Sequence, residues 1–394
     1  MEHESRHSAK RLFVAFSAIL FFGLLSSSAH ADGMVIDHTC ADIEKVPAYW
    51  IEMAKRMTLH YGHTSHGSQI ISGILALYDL NPAYAVAVRE SDSEGLPPAQ
   101  RPPALRIYDG NPPETYIEPD DYWESEEGRV RTRSVADTGK YDFSMWSWCG
   151  QVSWYGDEQI QDYLNRMDQF ESRYSAMRFI YMTGHLDGTG SGGDLYRNNE
   201  AIREYCRANG KVLFDFADIE RYDPDGTDYL DRGGDDECDY FVRGIRHNWA
   251  DEWCAENPGS DLCIWEDAYG DCAHSKPLNC HLKARTFWWM MARLAGWQES
   301  SCASVDIQTV SVHIPCLDLG TSARYWLDMR LSKGAFVFWD AGVTEGSTGT
   351  FASFDAGTGI LHIPCLDFGV KRTYWLDLRL TKNGFTISDF GMNP

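Results

Sequence analysis

Apolar positions along the middle of this chain follow two periods in turn. Residues 57–61 form a short apolar-rich run of strand character, and 70–80 set Ile70, Ile71, Ile74, Leu75 and Leu77 on one side of a helix. A second strand is predicted over 143–148. An amphipathic helix follows over 157–174, with Ile160, Leu164, Met167 and Phe170 on one face, and then a buried strand over 177–182. Helix over 198–208, strand over 212–216 and helix over 281–297 complete the series. This alternation predicts an α/β domain over 32–298, a largely parallel sheet covered by helices, whose ligands bind at the carboxyl ends of the strands. The Pro-rich stretch 96–113 predicts a loop over that surface.

The period changes near the C-terminus. His313-Ile314-Pro315-Cys316-Leu317-Asp318 returns as His362-Ile363-Pro364-Cys365-Leu366-Asp367, and Tyr325-Trp326-Leu327-Asp328 returns as Tyr374-Trp375-Leu376-Asp377. The spacing is 49 residues, and 13 of the 19 positions from His313 to Leu331 are identical in the second copy. Tyr325, Leu327, Met329 and Leu331 alternate with polar or large neighbours as in a strand with one buried face. Two copies are fewer than the about three that a solenoid needs. The repeats, about 303–345 and 351–394, therefore predict a small all-β accessory module.

Arg6, Lys10 and Arg11 precede an apolar run of 14 residues over 12–25, and Ala29-His30-Ala31 supplies small residues for cleavage after Ala31. The pattern predicts a signal peptide over 1–31 and a secreted, periplasmic or cell-surface protein. A spanning helix needs about 20 apolar residues, so no stable membrane insertion is expected. The formal charge of −23 opposes binding to phosphate backbones and anionic lipid, so no nucleic-acid partner is expected. Eleven cysteines occur without any C-x-x-C pair, which in an exported chain points to disulfides for most of them, and five fall between Cys238 and Cys280.

Polar residues gather after the predicted strands. Gly62-His63-Thr64-Ser65-His66-Gly67 follows the first, Thr183-Gly184-His185-Leu186-Asp187 the third, and Asp215 to Glu220 the fourth. Ser65 stands at a strand-to-helix turn, where it is either a nucleophile near a positive helix terminus or a cap for backbone donors. In Asp271-Cys272-Ala273-His274, the aspartate stands where it can orient an imidazole base. His60, His63 and His66 crowd one turn with no carboxylate or cysteine at metal-ligand spacing, so no metal or other cofactor is expected and all three are read as shaping the pocket mouth, with His63 a candidate substrate contact. Trp148 is a candidate to line a sugar-binding cleft, with core packing the alternative. The acidic run from Asp223 to Asp236 contains Asp-Pro-Asp-Gly but has Gly234 where a calcium loop needs its bidentate glutamate, so a solvated loop is expected.

The block Gly62 to Gly67 followed by Ile70-Ile71-Ser72-Gly73-Ile74, with the late Asp271-x-x-His274, resembles the SGNH (GDSL-like) hydrolases, in particular bacterial members with a His-x-Ser-x-Gly nucleophile block. Leu213 to Glu220 with Asp223-Pro224-Asp225-Gly226 is similar to a later block of such members. The resemblance spans about 57–297. It implies a three-layer α/β/α fold, Ser65 as nucleophile, His274 as base and Asp271 as its orienter. The family's Gly-x-Asn-Asp is here Gly184-His185-Leu186-Asp187, so the oxyanion-holding Asn is missing; His185 is the expected substitute, with the backbone N–H of Gly150 as a further donor. The function expected is acyl transfer from a small-molecule or polysaccharide ester. The alternative is a non-catalytic, carbohydrate-binding protein on a decayed site.

Overall fold

The structure, a computed structural model, describes residues 33–46, 48–90, 95–266, 269–297, 303–306, 309–319, 324–344, 352–367 and 373–392. Residues 1–31, on which the export reading rests, lie outside them. The chain divides into two compact units, one containing Trp50–Gly296 and the stretch ending at Val46, the other containing the chain from Trp297 on.

In chain order the first unit contains β1 (Met34–Ile36), α1 (Ala48–Ala54), β2 (Thr58–Gly62), α2 (Ser65–Leu80), β3 (Val86–Glu90) and β4 (Leu105–Asp109). There follow α3 (Pro119–Tyr122), α4 (Glu126–Asp137), β5 (Phe143–Trp146), α5 (Asp157–Arg173), β6 (Arg178–Met182), α6 (Asp194–Ala208), β7 (Val212–Phe214) and α7 (Phe216–Arg221). A hairpin of β8 (Asp239–Val242) and β9 (Ile245–Asn248), then α8 (Trp249–Glu256) and α9 (Pro277–Leu294), completes the unit. Seven strands form one sheet in the order β1-β7-β6-β5-β2-β4-β3, and every pairing in it is parallel. Strands β2, β5 and β7 are buried along their whole length, as expected when side chains on both faces are covered. Helix α9 packs along α2, and α5 along α6.

Residues 96–113, expected as a loop, contain β4, which lies inside the sheet between β2 and β3. The prolines flank the strand, Pro97, Pro98, Pro102 and Pro103 before it and Pro112 and Pro113 after it, so none of them removes one of its donors. Strands β1 and β3, helix α4 and the β8–β9 hairpin also lie outside the predicted elements. Helices α2, α6 and α9 begin before their apolar period does, at Ser65, Asp194 and Pro277, because first turns are polar and proline is at home there.

The second unit contains β10 (Ala303–Asp306), β11 (Ser311–Asp318), β12 (Arg324–Ser332) and β13 (Ala335–Thr344) from the first repeat. The second repeat supplies β14 (Ala352–Asp355), β15 (Ile360–Asp367), β16 (Thr373–Thr381) and β17 (Gly384–Met392). Each repeat is an antiparallel meander. The repeats exchange their outer strands: β10 lies parallel to β15 and β11 parallel to β14, while β13 meets β17. Val312, Ile314 and Met329 share one core with their repeat equivalents Leu361, Ile363 and Leu378. Neither repeat alone encloses that core, which is the physical reason for the duplication.

Disulfides join Cys254 to Cys263 and Cys272 to Cys280, and Cys365 is also disulfide-bonded. Cys149, Cys206 and Cys238 are thiols. Among the described residues no helix is long and apolar enough to cross a membrane.

Candidate active site

The strand order places β4 and β5 on opposite sides of β2, so the chain leaves the carboxyl end of β2 at a switch point of the parallel sheet. Ser65 opens the 16-residue helix α2 at this point. Its hydroxyl lies 3.0 Å from Nε2 of His274, across 209 residues of sequence. Ser65 is half-buried and His274 exposed. His274 has φ of 57°, a left-handed conformation rare for a residue with a side chain, in a turn closed by the Ser275 N–H on the Cys272 carbonyl at 2.9 Å. The Cys272–Cys280 disulfide ties this turn to the head of α9.

The other sequence candidates fall differently. Asp271 is exposed, and its carboxylate makes no hydrogen bond or ion pair with His274 among the described residues; only its carbonyl is used, by the Ser72 hydroxyl at 3.3 Å. Trp148 is 1% exposed and donates its indole N–H to the Met182 carbonyl, so it is core and not cleft lining. His63 is also buried: Nδ1 donates to the Thr64 carbonyl, and Nε2 approaches the Asp109 carboxylate to 2.8 Å at the end of β4. Burial alone would lower its pKa, but the Asp109 charge raises it, so the pair fastens the β2 turn to β4. His60 is wholly buried between Ser144 and the Gly110 carbonyl, and burial lowers its pKa to about 4.

His185 comes close to Gly150, as expected: a side-chain carbon at Gly150 would lie 3.8 Å from its Nε2. Yet Nδ1 of His185 lies 2.8 Å from the Leu186 carbonyl, which can only accept, so Nδ1 carries the proton. Burial first and the neighbouring His66 charge second lower its pKa, keeping the ring neutral. Its Nε2 is therefore a lone pair and not an oxyanion donor, which corrects the role expected for His185.

Sequence reasoning missed the centre of the site. The His66 ring stacks on His185 with centroids 3.7 Å apart and on His274 with centroids 4.5 Å apart. Its Nε2 donates to Asp236 at 2.8 Å and its Nδ1 lies 3.4 Å from Cys149 Sγ. Burial opposes a charge on this ring, but the bonds to Asp236 and then Cys149 outweigh it and raise the pKa to about 9, so the ring is an imidazolium at neutral pH. His66 and Cys149 adjoin Ser65 and Gly150 in sequence, which was the available signal. Asp236, in contrast, sits 170 residues away in the acidic run.

Compared with protein-family models, curated proteins and solved structures, the chain matches none. The site must therefore be read from its own chemistry. Ligand atoms of His66, His185 and Asp236 lie within 4.8 Å of one another, but the two rings are parallel to within 2°, so their in-plane lone pairs run side by side and do not converge on one ion. Other members of the acidic run have protein partners. Asp223 accepts from the Asp225 and Thr227 N–H groups, Asp228 pairs with Arg221, and Asp231 accepts from the Ser191 N–H.

Beneath the site lies a wholly buried ion pair of Lys283 and Glu220 at 2.6 Å. The other Glu220 oxygen accepts from the Leu186 N–H at 2.8 Å, while Lys283 also bonds Gln69, whose amide donates to the Ala273 carbonyl. One buried cation on α9 thus braces the loops that carry His185 and His274. Above them opens a cleft of about 950 Å³ bordered by His274, Trp265, Arg246, Asp251 and Lys276.

Proposed function

We propose that this chain is an exported serine hydrolase of the SGNH (GDSL-like) type, acting on carboxylic esters. The observation that carries the reading is the 3.0 Å approach of Ser65 Oγ to His274 Nε2, at the head of a long helix and the carboxyl edge of a parallel sheet. A serine that merely capped the helix would have no reason to meet a histidine 209 residues away. Ser65 Oγ attacks the ester carbonyl while His274 Nε2 takes its proton. The backbone N–H of Ser65, left without an intrahelical partner at the helix start, stabilises the oxyanion, with that of Gly150 as a further donor. His274 then gives the proton to the departing alcohol, and water releases the acid by the reverse sequence.

The polar, charged border of the cleft beside His274, with Trp265 as its aromatic member, favours a hydroxyl-rich alcohol such as an acylated saccharide. Hydrolysis of short-chain nitrophenyl esters by the mature protein tests the reading. Ser65→Ala and His274→Ala are expected to lose at least about a thousandfold in kcat/KM. Equal rates from Ser65→Ala and the wild type would remove Ser65 from the mechanism. Absence of turnover on a broad ester panel would favour saccharide binding without catalysis, a role in keeping with a His185 Nε2 that has no proton to give an oxyanion.

A further inference from the structure

The ester reading uses Ser65 and His274 and leaves a complete second constellation unused. Cys149 Sγ lies 3.4 Å from His66 Nδ1, and His66 Nε2 lies 2.8 Å from Asp236. These are nucleophile, base and orienting carboxylate in the arrangement that activates a thiol. Asp236 bonds the His66 ring in the way that Asp271 does not bond the His274 ring. We propose that Cys149, His66 and Asp236 form a second nucleophilic triad, in which Cys149 accepts an acyl group from an activated ester or thioester and carries it as a thioester.

Three features support a nucleophilic role. Cys149 is half-exposed, whereas Cys206 and Cys238 are buried. Its surroundings are donors: His66 Nδ1 first, then the Thr64 hydroxyl and the Gly150 N–H, and together they hold the thiol below its ordinary pKa against the opposing effect of burial. Thr64 is 1% exposed, and its buried hydroxyl makes no other well-aligned hydrogen bond, so it is committed to the sulfur. In the step itself the thiolate forms a C–S bond to the acyl carbon, and the C–O or C–S bond to the leaving group breaks. The leaving alcohol or thiol takes the Nδ1 proton of His66. Water, an alcohol or an amine then attacks the thioester, restores the thiolate and returns a proton to His66.

The proposal does not rest on Ser65, so its test is made on the full chain carrying Ser65→Ala. That variant is incubated with p-nitrophenyl acetate, quenched in acid, and analysed by intact mass and peptide mapping. The expected result is one acetyl group per chain, located on Cys149 and removed by neutral hydroxylamine as a thioester is. The adduct is expected to be absent from Ser65→Ala/Cys149→Ala, and to form at least tenfold more slowly with His66→Asn or Asp236→Asn added. Two independent variants are used because either alone can disturb packing, and circular dichroism checks each. Their iodoacetamide labelling at neutral pH should slow in parallel, since that reaction needs only the thiolate, with a C–S bond formed and iodide released. An unacetylated Cys149, or acetylation at unchanged rate in both His66 and Asp236 variants, overturns the triad. Loss of Ser65 activity in the wild-type background bears on the ester reading alone.

Discussion

The base at the candidate site is oriented by different means from those its sequence suggests. His274 is held by a left-handed turn, a disulfide, the Gln69 bond to the preceding carbonyl and stacking on His66, while Asp271 makes no bond to the ring among the described residues. Asp271→Asn is therefore expected to keep ester hydrolysis within about fivefold of wild type, where loss of a true orienting carboxylate costs about ten-thousandfold. Steady-state kinetics beside His274→Ala decides this, and a collapse in Asp271→Asn would show that the carboxylate swings onto the ring during turnover. His66 has a signature of its own. Its folded pKa of about 9 lies above its ordinary 6.5, so the stability it contributes is full below pH 6.5 and is lost as pH rises through 9. Cys149, whose pKa is depressed, contributes with the opposite sign and masks this slope. In Cys149→Ser, where Asp236 remains as partner, unfolding free energy is expected to fall by roughly 1–2 kcal/mol between pH 6 and 9.5. Urea titrations should show that slope abolished by adding His66→Asn.

Among the elements, α9 carries more of the site than its amphipathic pattern suggests. It packs along α2 and carries Lys283, whose pKa burial lowers against the pull of Glu220. Through Glu220 and Gln69 this one ammonium reaches the Leu186 N–H and the Ala273 carbonyl. Lys283→Met leaves Glu220 charged and unpaired at zero exposure, so it should destabilise the first unit by about 3–5 kcal/mol. Lys283→Met/Glu220→Gln should cost clearly less than the sum of its single changes, because the stranded charge is gone. Denaturant midpoints of the four proteins measure this coupling, and strict additivity would mean that the pair braces nothing. Among the strands, β2 and β5 lead into the turns that carry Ser65 and Cys149, so their side-by-side register brings the two nucleophile positions to one edge of the sheet.

At the scale of the whole molecule, every residue of the candidate site lies before Trp297, and the repeats enclose a core of their own. A chain ending at Gln298 is expected to fold and to hydrolyse small soluble esters at the rate of the full chain. Activity lost from a truncated protein whose circular dichroism remains native would instead make the repeats part of the site. The alternation of strand and helix, the repeat and the Ser65 turn were legible in the sequence, because periodic burial and local turn chemistry are written in neighbouring residues. So was the pairing of Ser65 with His274, through the order of the motifs. Strand β4 was hidden behind its prolines. The contacts of Asp271 and His185 differ from those expected, and Trp148 falls to its core-packing alternative, because each depends on which way a side chain turns: toward solvent, onto a carbonyl, or into the core. The chain of Cys149, His66 and Asp236 was beyond sequence reasoning for a related reason. Its members come from three separate segments, and only the closing of the parallel sheet and the folding of the acidic loop over it bring a thiol, an imidazole and a carboxylate within hydrogen-bonding distance.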